Sequence, residues 1–152
     1  MSKLNIAQIC QQLHTVRDFI RFATTQFNEA ELYFGHGTDN AWDEASNLIL
    51  FALSLPSALT ESVLACRLID DEKELILDLI ERRIVEGKPV AYLTHQANFA
   101  NLPFYVDERV LVPRSPIAEL IEGQFSAFFE DGHLPKRILD LCTGSGCIAI
   151  AC

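Results

Sequence analysis

Arg137-Ile138-Leu139-Asp140-Leu141-Cys142-Thr143-Gly144-Ser145-Gly146-Cys147-Ile148-Ala149-Ile150-Ala151 is the stretch on which the fold turns. Its first five residues are a short, nearly continuous apolar run of strand type, its last five open a helix, and two glycines lie between. Strand, glycine turn and helix in that order form the ligand-holding corner of a doubly wound α/β sheet. Gly144 and Gly146 permit positive φ and a close backbone approach, while free N–H groups at a helix start favour a carboxylate or phosphate. A strand at 137–141 would have no neighbour to pair with, so residues from about 134 onward are expected to be disordered or held by another molecule.

Upstream of that corner the pattern divides in two. From Leu4 to Phe27 apolar residues recur at Ile6, Ile9, Leu13, Val16, Ile20, Ala23 and Phe27, which predicts one long amphipathic helix. A second starts near Asp39 and carries Trp42, Ala45, Leu48, Ile49, Ala52 and Leu55 until Pro56 stops it. Residues 57–70 hold Leu59, Val63, Leu64 and Leu68 at the spacing of a short helix. Asp71 and Glu74 have capping-box spacing ahead of the stripe Leu75, Ile76, Leu79, Ile80 and Ile84, and Gly87 with Pro89 ends that helix.

After Pro89 extended runs are predicted at Val90 to Leu93, Asn98 to Phe99, Phe104 to Val106 and Val110 to Val112, with a hairpin bend over Asn98 to Leu102. Pro113-Arg114-Ser115-Pro116 returns the chain to helix. Ser115 is the predicted N-cap, Ile117, Leu120, Ile121, Phe125 and Phe128 share a face, and Asp131-Gly132-His133 closes it. The organisation expected is α+β: a helical bundle over 1–87, a β-hairpin linker over 88–114, and over 115–152 the start, with the first strand, of a Rossmann-like α/β domain.

The 152 residues carry a formal net charge of -9, with 49% hydrophobic and 22% charged residues, a balance that supports a folded core. Residues 1–87 hold 7 Lys+Arg against 14 Asp+Glu, so the acidity is concentrated in the helical part. That sign repels phosphate backbones and suits a basic protein partner, although on charge alone a solvated acidic face kept for solubility is the favoured reading. No apolar run is long enough for a membrane span and the start has no leader pattern, which with five cysteines, an odd number, points to a cytoplasmic protein with free thiols.

Two cofactor classes fit the glycines. Gly144-Ser145-Gly146-Cys147-Ile148-Ala149 matches the dinucleotide fingerprint with Ala in its last place. Asp140-Leu141-Cys142-Thr143-Gly144-Ser145-Gly146 resembles the S-adenosylmethionine motif Asp-x-Gly-x-Gly-x-Gly, with Cys142 where its first glycine stands. The second is favoured by Asp140. Further upstream, Gly87-Lys88-Pro89-Val90-Ala91-Tyr92-Leu93, Phe99, Phe104-Tyr105-Val106 and Val110-Leu111-Val112-Pro113-Arg114 are similar to the protein-glutamine N5-methyltransferase family. Tyr33-Phe34-Gly35-His36-Gly37-Thr38-Asp39-Asn40 and Pro113-Arg114-Ser115-Pro116 resemble the branch that acts on a large-subunit ribosomal protein, L-three, rather than the release-factor branch.

The resemblance covers nearly the whole chain. It implies a helical substrate-recognition domain, a hairpin linker and a seven-stranded methyltransferase domain. It implies that Asp140, Cys142, Thr143, Gly144, Ser145 and Gly146 hold the methionine part of S-adenosylmethionine, that Phe99 lies near the reacting methyl group, and that Arg114 and Glu119 brace the mouth of the site. The family's Asn-Pro-Pro-Tyr signature is absent from the sequence, so no catalytic residue is assigned and a chain ending at Cys152 is expected not to turn over. A non-catalytic protein-binding module and an adenine-specific DNA methyltransferase are the alternative readings, the latter disfavoured by net charge.

Other conspicuous residues have plainer readings. His14, His36, His95 and His133 show no metal spacing, and Cys142, Cys147 and Cys152 at steps of five spread around a helix as packing residues. Trp42 and Phe51 are expected in the core. The loop from Gly35 to Asn40 reads first as a turn capping the second helix through Asp39, and second as a substrate contact.

Overall fold

The computed structural model describes residues 6–56, 60–129, 135 and 137–152, which fall into two compact units, Met1–Thr94 and His95–Cys152. The chain is α-rich, with a single two-stranded antiparallel sheet among the described residues. No described helix is long and apolar enough to cross a membrane.

The first unit is helical. Where one long helix is predicted the structure has two, α1 (Ile6–Gln12) and α2 (Val16–Glu29), and Leu4 lies outside the described residues. The cause is local chemistry that outweighs an unbroken apolar stripe. Thr15 is extended and its Oγ1 accepts from Asp18 N at 3.2 Å, while Asp18 Oδ2 accepts from Thr15 N at 2.9 Å and His14 N at 3.0 Å. This capping box satisfies donors that a new helix leaves open. The break also frees His14 O and Val16 N to bond Leu68 N and Cys66 O at 2.9 and 3.1 Å, tying the helix start to the segment beyond α4 (Glu61–Leu64).

The next helix, α3 (Ala41–Ala52), starts after Asn40, whose Oδ1 accepts from Asp43 N at 2.9 Å. Asn40 is thus the cap, and Asp39 is not. Trp42 and Phe51, expected in the core, are both 41% exposed. Phe51 follows Asp43 and Asn47 at steps of four, on the outer row of the helix, and Trp42 sits in the first turn. The face of α3 that packs on α2 is Ala41, Ala45, Leu48 and Ile49 against Val16, Phe19, Ile20, Ala23 and Phe27.

α5 (Asp70–Glu86) supplies Ile76, Leu77, Leu79 and Ile80 to the same core. Its reciprocal bond runs from Ile69 N to Glu72 Oε2 at 2.9 Å, so the cap falls at Ile69, two residues before the predicted Asp71, and the Asp71/Glu74 box does not form. Leu75, expected in the stripe, is 47% exposed, whereas Leu77 is fully buried. Gly87, at φ 66, ends the helix as predicted, because the left-handed cap is cheap only without a Cβ. Val90 to Leu93, predicted extended, is instead helix α6 (Val90–Thr94): Pro89 O accepts from Tyr92 N at 3.0 Å, a proline-started turn that buries Ala91 and Leu93.

Three charged side chains are buried inside this apolar unit. Arg83 Nε donates to Glu44 Oε1 at 2.6 Å with both side chains almost wholly buried, Arg83 Nη2 donates to Tyr33 O at 3.0 Å, and Thr38 Oγ1 donates to Glu44 Oε2 at 2.9 Å. A paired, hydrogen-bonded ion pair satisfies charges that burial would otherwise penalise by several kcal/mol. Lys73 is buried similarly, its Nζ donating to Cys10 O at 3.1 Å and Asp70 Oδ1 at 3.0 Å, which joins α5 to the residues of α1.

The second unit starts with β1 (Gln96–Phe99) and β2 (Leu102–Tyr105), paired from Gln96↔Tyr105 to Phe99↔Leu102. The predicted bend closes at Ala100 and Asn101, whose φ values of 47 and 62 match the twist of a two-residue hairpin. Val110 to Val112 forms no strand, though Val112 is buried. Then α7 (Ile117–Glu122) follows Ser115, whose Oγ accepts from Ile117 N at 3.3 Å. It ends well short of the predicted Phe128, where Gln124 and Phe125 turn left-handed and Phe125 N bonds Leu120 O at 2.8 Å. The predicted closure at Asp131 to His133 lies outside the described residues. Residues 137–141 form no strand, since no second strand is there to supply its hydrogen bonds, and α8 (Cys147–Ala151) packs on α7.

Thr15→Ala is expected to cost about 1 kcal/mol in urea unfolding through loss of the cap. Burial alone would raise the Asp18 carboxyl, but the N–H groups of His14 and Thr15 outweigh it and hold it below its ordinary value. A depressed carboxyl stabilises above its unfolded value, about 3.9, and loses that contribution as pH falls through the folded one. The stability gap between the parent and Asp18→Asn should therefore close on acidification, and a constant gap would refute the assignment. Removing one partner of the buried pair, as in Arg83→Met, should cost about 3–5 kcal/mol, against about 1 kcal/mol or less for Arg17→Ala at the exposed Arg17–Glu61 pair.

Candidate cofactor-binding loop

All nine residues singled out from the sequence lie in the second unit. Six of them lie in the turn from Asp140 to Gly146. Its backbone alternates hands: Cys142, Gly144 and Gly146 have φ of 60, 58 and 79. Thr143 Oγ1 donates to Asp140 O at 3.1 Å, and Gly146 N to Thr143 O at 3.0 Å, so the turn is held by its own polar groups. Gly146 then leads into α8 without a side chain to cap it. A Cβ on Gly144 would meet only Cys142 O at 3.9 Å, and one on Gly146 would touch Ile150 Cδ1 at 3.7 Å. Space is therefore available at both, and the backbone hand alone is what calls for glycine.

Cys142 shares that left-handed conformation with a Cβ in place, which is uncommon for a non-glycine residue. Its thiol is exposed, while Cys147 is buried at the start of α8. Asp140 contributes the one buried side-chain polar atom without a hydrogen-bond partner among the described residues, Oδ2. A carboxylate oxygen shut off from water wants a donor. The turn thus combines left-handed glycine backbone with a buried carboxylate oxygen that no donor among the described residues satisfies.

The remaining three candidates come from other elements. Phe99, at the end of β1, is buried and packs edge-on against Phe104, with centroids 6.4 Å apart. Arg114 is exposed just before α7, and Glu119 is exposed within it. Helix α7 packs on α8, which brings the element carrying Glu119 alongside the helix that the loop opens. Asn101 Nδ2 reaches Glu122 Oε1 at 2.9 Å, joining the hairpin tip to the same helix. Among the described residues no three His, Cys, Asp or Glu side chains are grouped as a metal site.

Two features of this unit go beyond the nine candidate residues. His95 stacks on Tyr105 at 5.4 Å and 12°, with Nδ1 3.3 Å from Val106 O. Asp107 is held well below the usual carboxylate range by the Arg109 side chain, which grips both its oxygens. The Asp107-x-Arg109 spacing carried a readable signal; the His95–Tyr105 stack depends on strand register and did not.

No family model matches the chain. It is 54% identical over 143 residues to the ribosomal protein uL3 glutamine methyltransferases of Neisseria meningitidis serogroup A / serotype 4A (strain DSM 15465 / Z2491) and serogroup B (strain ATCC BAA-335 / MC58), covering 94% of this chain and 47% of each relative. The corresponding protein of Neisseria gonorrhoeae (strain ATCC 700825 / FA 1090) is 54% identical over the same 94%, and 48% of its length is covered. The chain is homologous to these glutamine methyltransferases. It spans about half the length of the curated relatives it matches. This agrees with the resemblance to protein-glutamine methyltransferases carried by the motifs around Tyr33, Gly87, Val110 and Asp140.

For the loop from Asp140 to Gly146, Gly144→Ala and Gly146→Ala should each cost about 1–2 kcal/mol of loop stability through backbone hand. Cys142→Gly should stay within about 1 kcal/mol of the parent, relief of strain offsetting lost chain stiffness. Hydrogen exchange of the backbone N–H at position 146, corrected for each variant's intrinsic rate, reads this order directly, and equal protection in all three variants would refute it.

Proposed function

We propose that the protein to which this chain contributes is a cytoplasmic enzyme that methylates a glutamine side chain of a large-subunit ribosomal protein, uL3, with S-adenosylmethionine as methyl donor. The observation that carries the reading is the 54% identity over 94% of the chain to methyltransferases of that name. The loop supports it. S-adenosylmethionine bears an ammonium and a carboxylate at its amino-acid end, and the buried Asp140 Oδ2 without a partner suits the ammonium while the backbone of Cys142 to Gly146 suits the carboxylate. Phe99, Arg114 and Glu119 are assigned to the substrate side of the same site. In this reading residues 137–141 are the first strand of a Rossmann-like sheet whose other strands lie outside this chain.

When bound, the cofactor supplies an electrophilic methyl on a positively charged sulfur. Held by the turn from Asp140 to Gly146, it would pass that methyl to the amide nitrogen, whose proton would go to solvent, leaving the donor a neutral thioether. This chain's part is binding and orientation. The acidic helical unit suits a basic protein and is unsuited to DNA.

In the full-length protein Asp140→Asn should weaken S-adenosylmethionine binding about 10- to 100-fold, the worth of one hydrogen bond to a charged group, as read by calorimetry. With labelled cofactor and ribosomal protein uL3, one glutamine should take up label. Label on DNA, or uptake of NADH with no uptake of S-adenosylmethionine, would overturn the proposal.

A further inference from the structure

The segment Tyr33–Asn40 packs Phe34 against the core and caps α3 through Asn40, yet turns Tyr33 outward. Its backbone is pinned from below: Arg83 Nη2 donates to Tyr33 O, and Thr38 Oγ1 donates to Glu44 Oε2, both through the buried Glu44–Arg83 pair. Above that anchor Tyr33 is 74% exposed. Its ring lies over Gly35, where a Cβ would come within 3.2 Å of the Tyr33 hydroxyl, and meets His36 edge-on at 5.9 Å. Burying a large aromatic side chain is normally favourable. Here a buried ion pair instead holds the backbone that carries an aromatic out in solvent.

The charges around it are of one sign. No Lys or Arg occurs between Arg21 and Arg67, a span that contains Glu29, Glu31, Asp39, Asp43, Glu44 and Glu61. Glu61 is matched by Arg17 and Glu44 by Arg83. Glu31, Asp39 and Asp43 have no cationic partner among the described residues. Asn40 Nδ2 holds Asp39 Oδ1 and Asp43 Oδ2 side by side, at 2.7 and 2.8 Å. Two carboxylates kept close repel each other, a cost that a bound cation removes.

Resting on the reading above, we infer that the Tyr33–Asp43 surface docks a Lys/Arg-rich segment of the protein substrate, with Tyr33 as the stacking platform and Glu31, Asp39 and Asp43 as charge partners. An Arg or Lys side chain satisfies both features at once, stacking on the ring and pairing with the carboxylates. The occupant is a segment of the substrate protein. Nucleic acid is repelled by the same carboxylates.

The test uses the full-length methyltransferase, with ribosomal protein uL3 as the probe. Tyr33→Ala/Glu31→Gln/Asp39→Asn leaves the Asn40 cap and the buried pair intact. It should weaken uL3 binding and raise the KM for uL3 about tenfold or more, with kcat, cofactor affinity and melting temperature unchanged, and with a shallower salt dependence. Tyr33→Phe should bind like the parent. The pair Asp71→Asn/Glu74→Gln removes a comparable charge from α5 and should stay within about twofold. Unchanged uL3 binding in the triple variant, an equal loss in the α5 pair, or no uL3 binding by the parent would overturn the docking surface. A parent that binds uL3 through this surface yet labels no glutamine would overturn the assigned reaction and leave the surface standing.

Discussion

The Glu44–Arg83 ion pair is the constraint around which the helical unit is arranged. Each charge occupies a position its helix would otherwise give to an apolar residue, Glu44 three residues after Ala41 and Arg83 three after Ile80. Neither could remain ionised in that interior alone. Their pairing fixes α3 against α5, and their remaining hydrogen-bonding capacity reaches out to Tyr33 O and Thr38 Oγ1. A hydrophobic pair of similar volume could fill the same space, but it could not position the backbone of a surface loop.

The second unit solves a different problem. Its polar backbone must be satisfied with only two paired strands, and it does so through turns: the left-handed pair Ala100–Asn101, the Gln124–Phe125 stop after α7, and the alternating hands of Cys142, Gly144 and Gly146. The last leaves Asp140 Oδ2 buried and without a donor. That oxygen is the one place in the described turn where the chain's own hydrogen bonding is left incomplete.

Much of the helical unit was legible because helices are specified by local spacing. The stripes through Val16, Ile20, Ala23 and Phe27 and through Ile76, Leu79 and Ile80 are buried as the periodicity requires. Errors arose where two local signals competed. Thr15-x-x-Asp18 was a capping box embedded in an unbroken stripe, and hydrogen bonds to an open helix start outweighed the stripe. Pro89 started a helical turn that β-branched and aromatic residues had argued against. At Trp42 and Phe51 size suggested burial, whereas position on the helix decided exposure.

For the candidate site, the amino-acid order by itself determined where glycine had to stand, since positive φ is a property of single residues, and it placed Asp140 two positions before Cys142. It also marked Gly87 as a helix stop for the same reason. Tertiary structure decided which charges are matched and which are left over: Glu44 with Arg83 across 39 residues, Glu61 with Arg17 across 44, and Asp39 beside Asp43 with no cation. It also decided that 137–141 is no strand here, because a strand's hydrogen bonds belong to its neighbours and not to its own sequence.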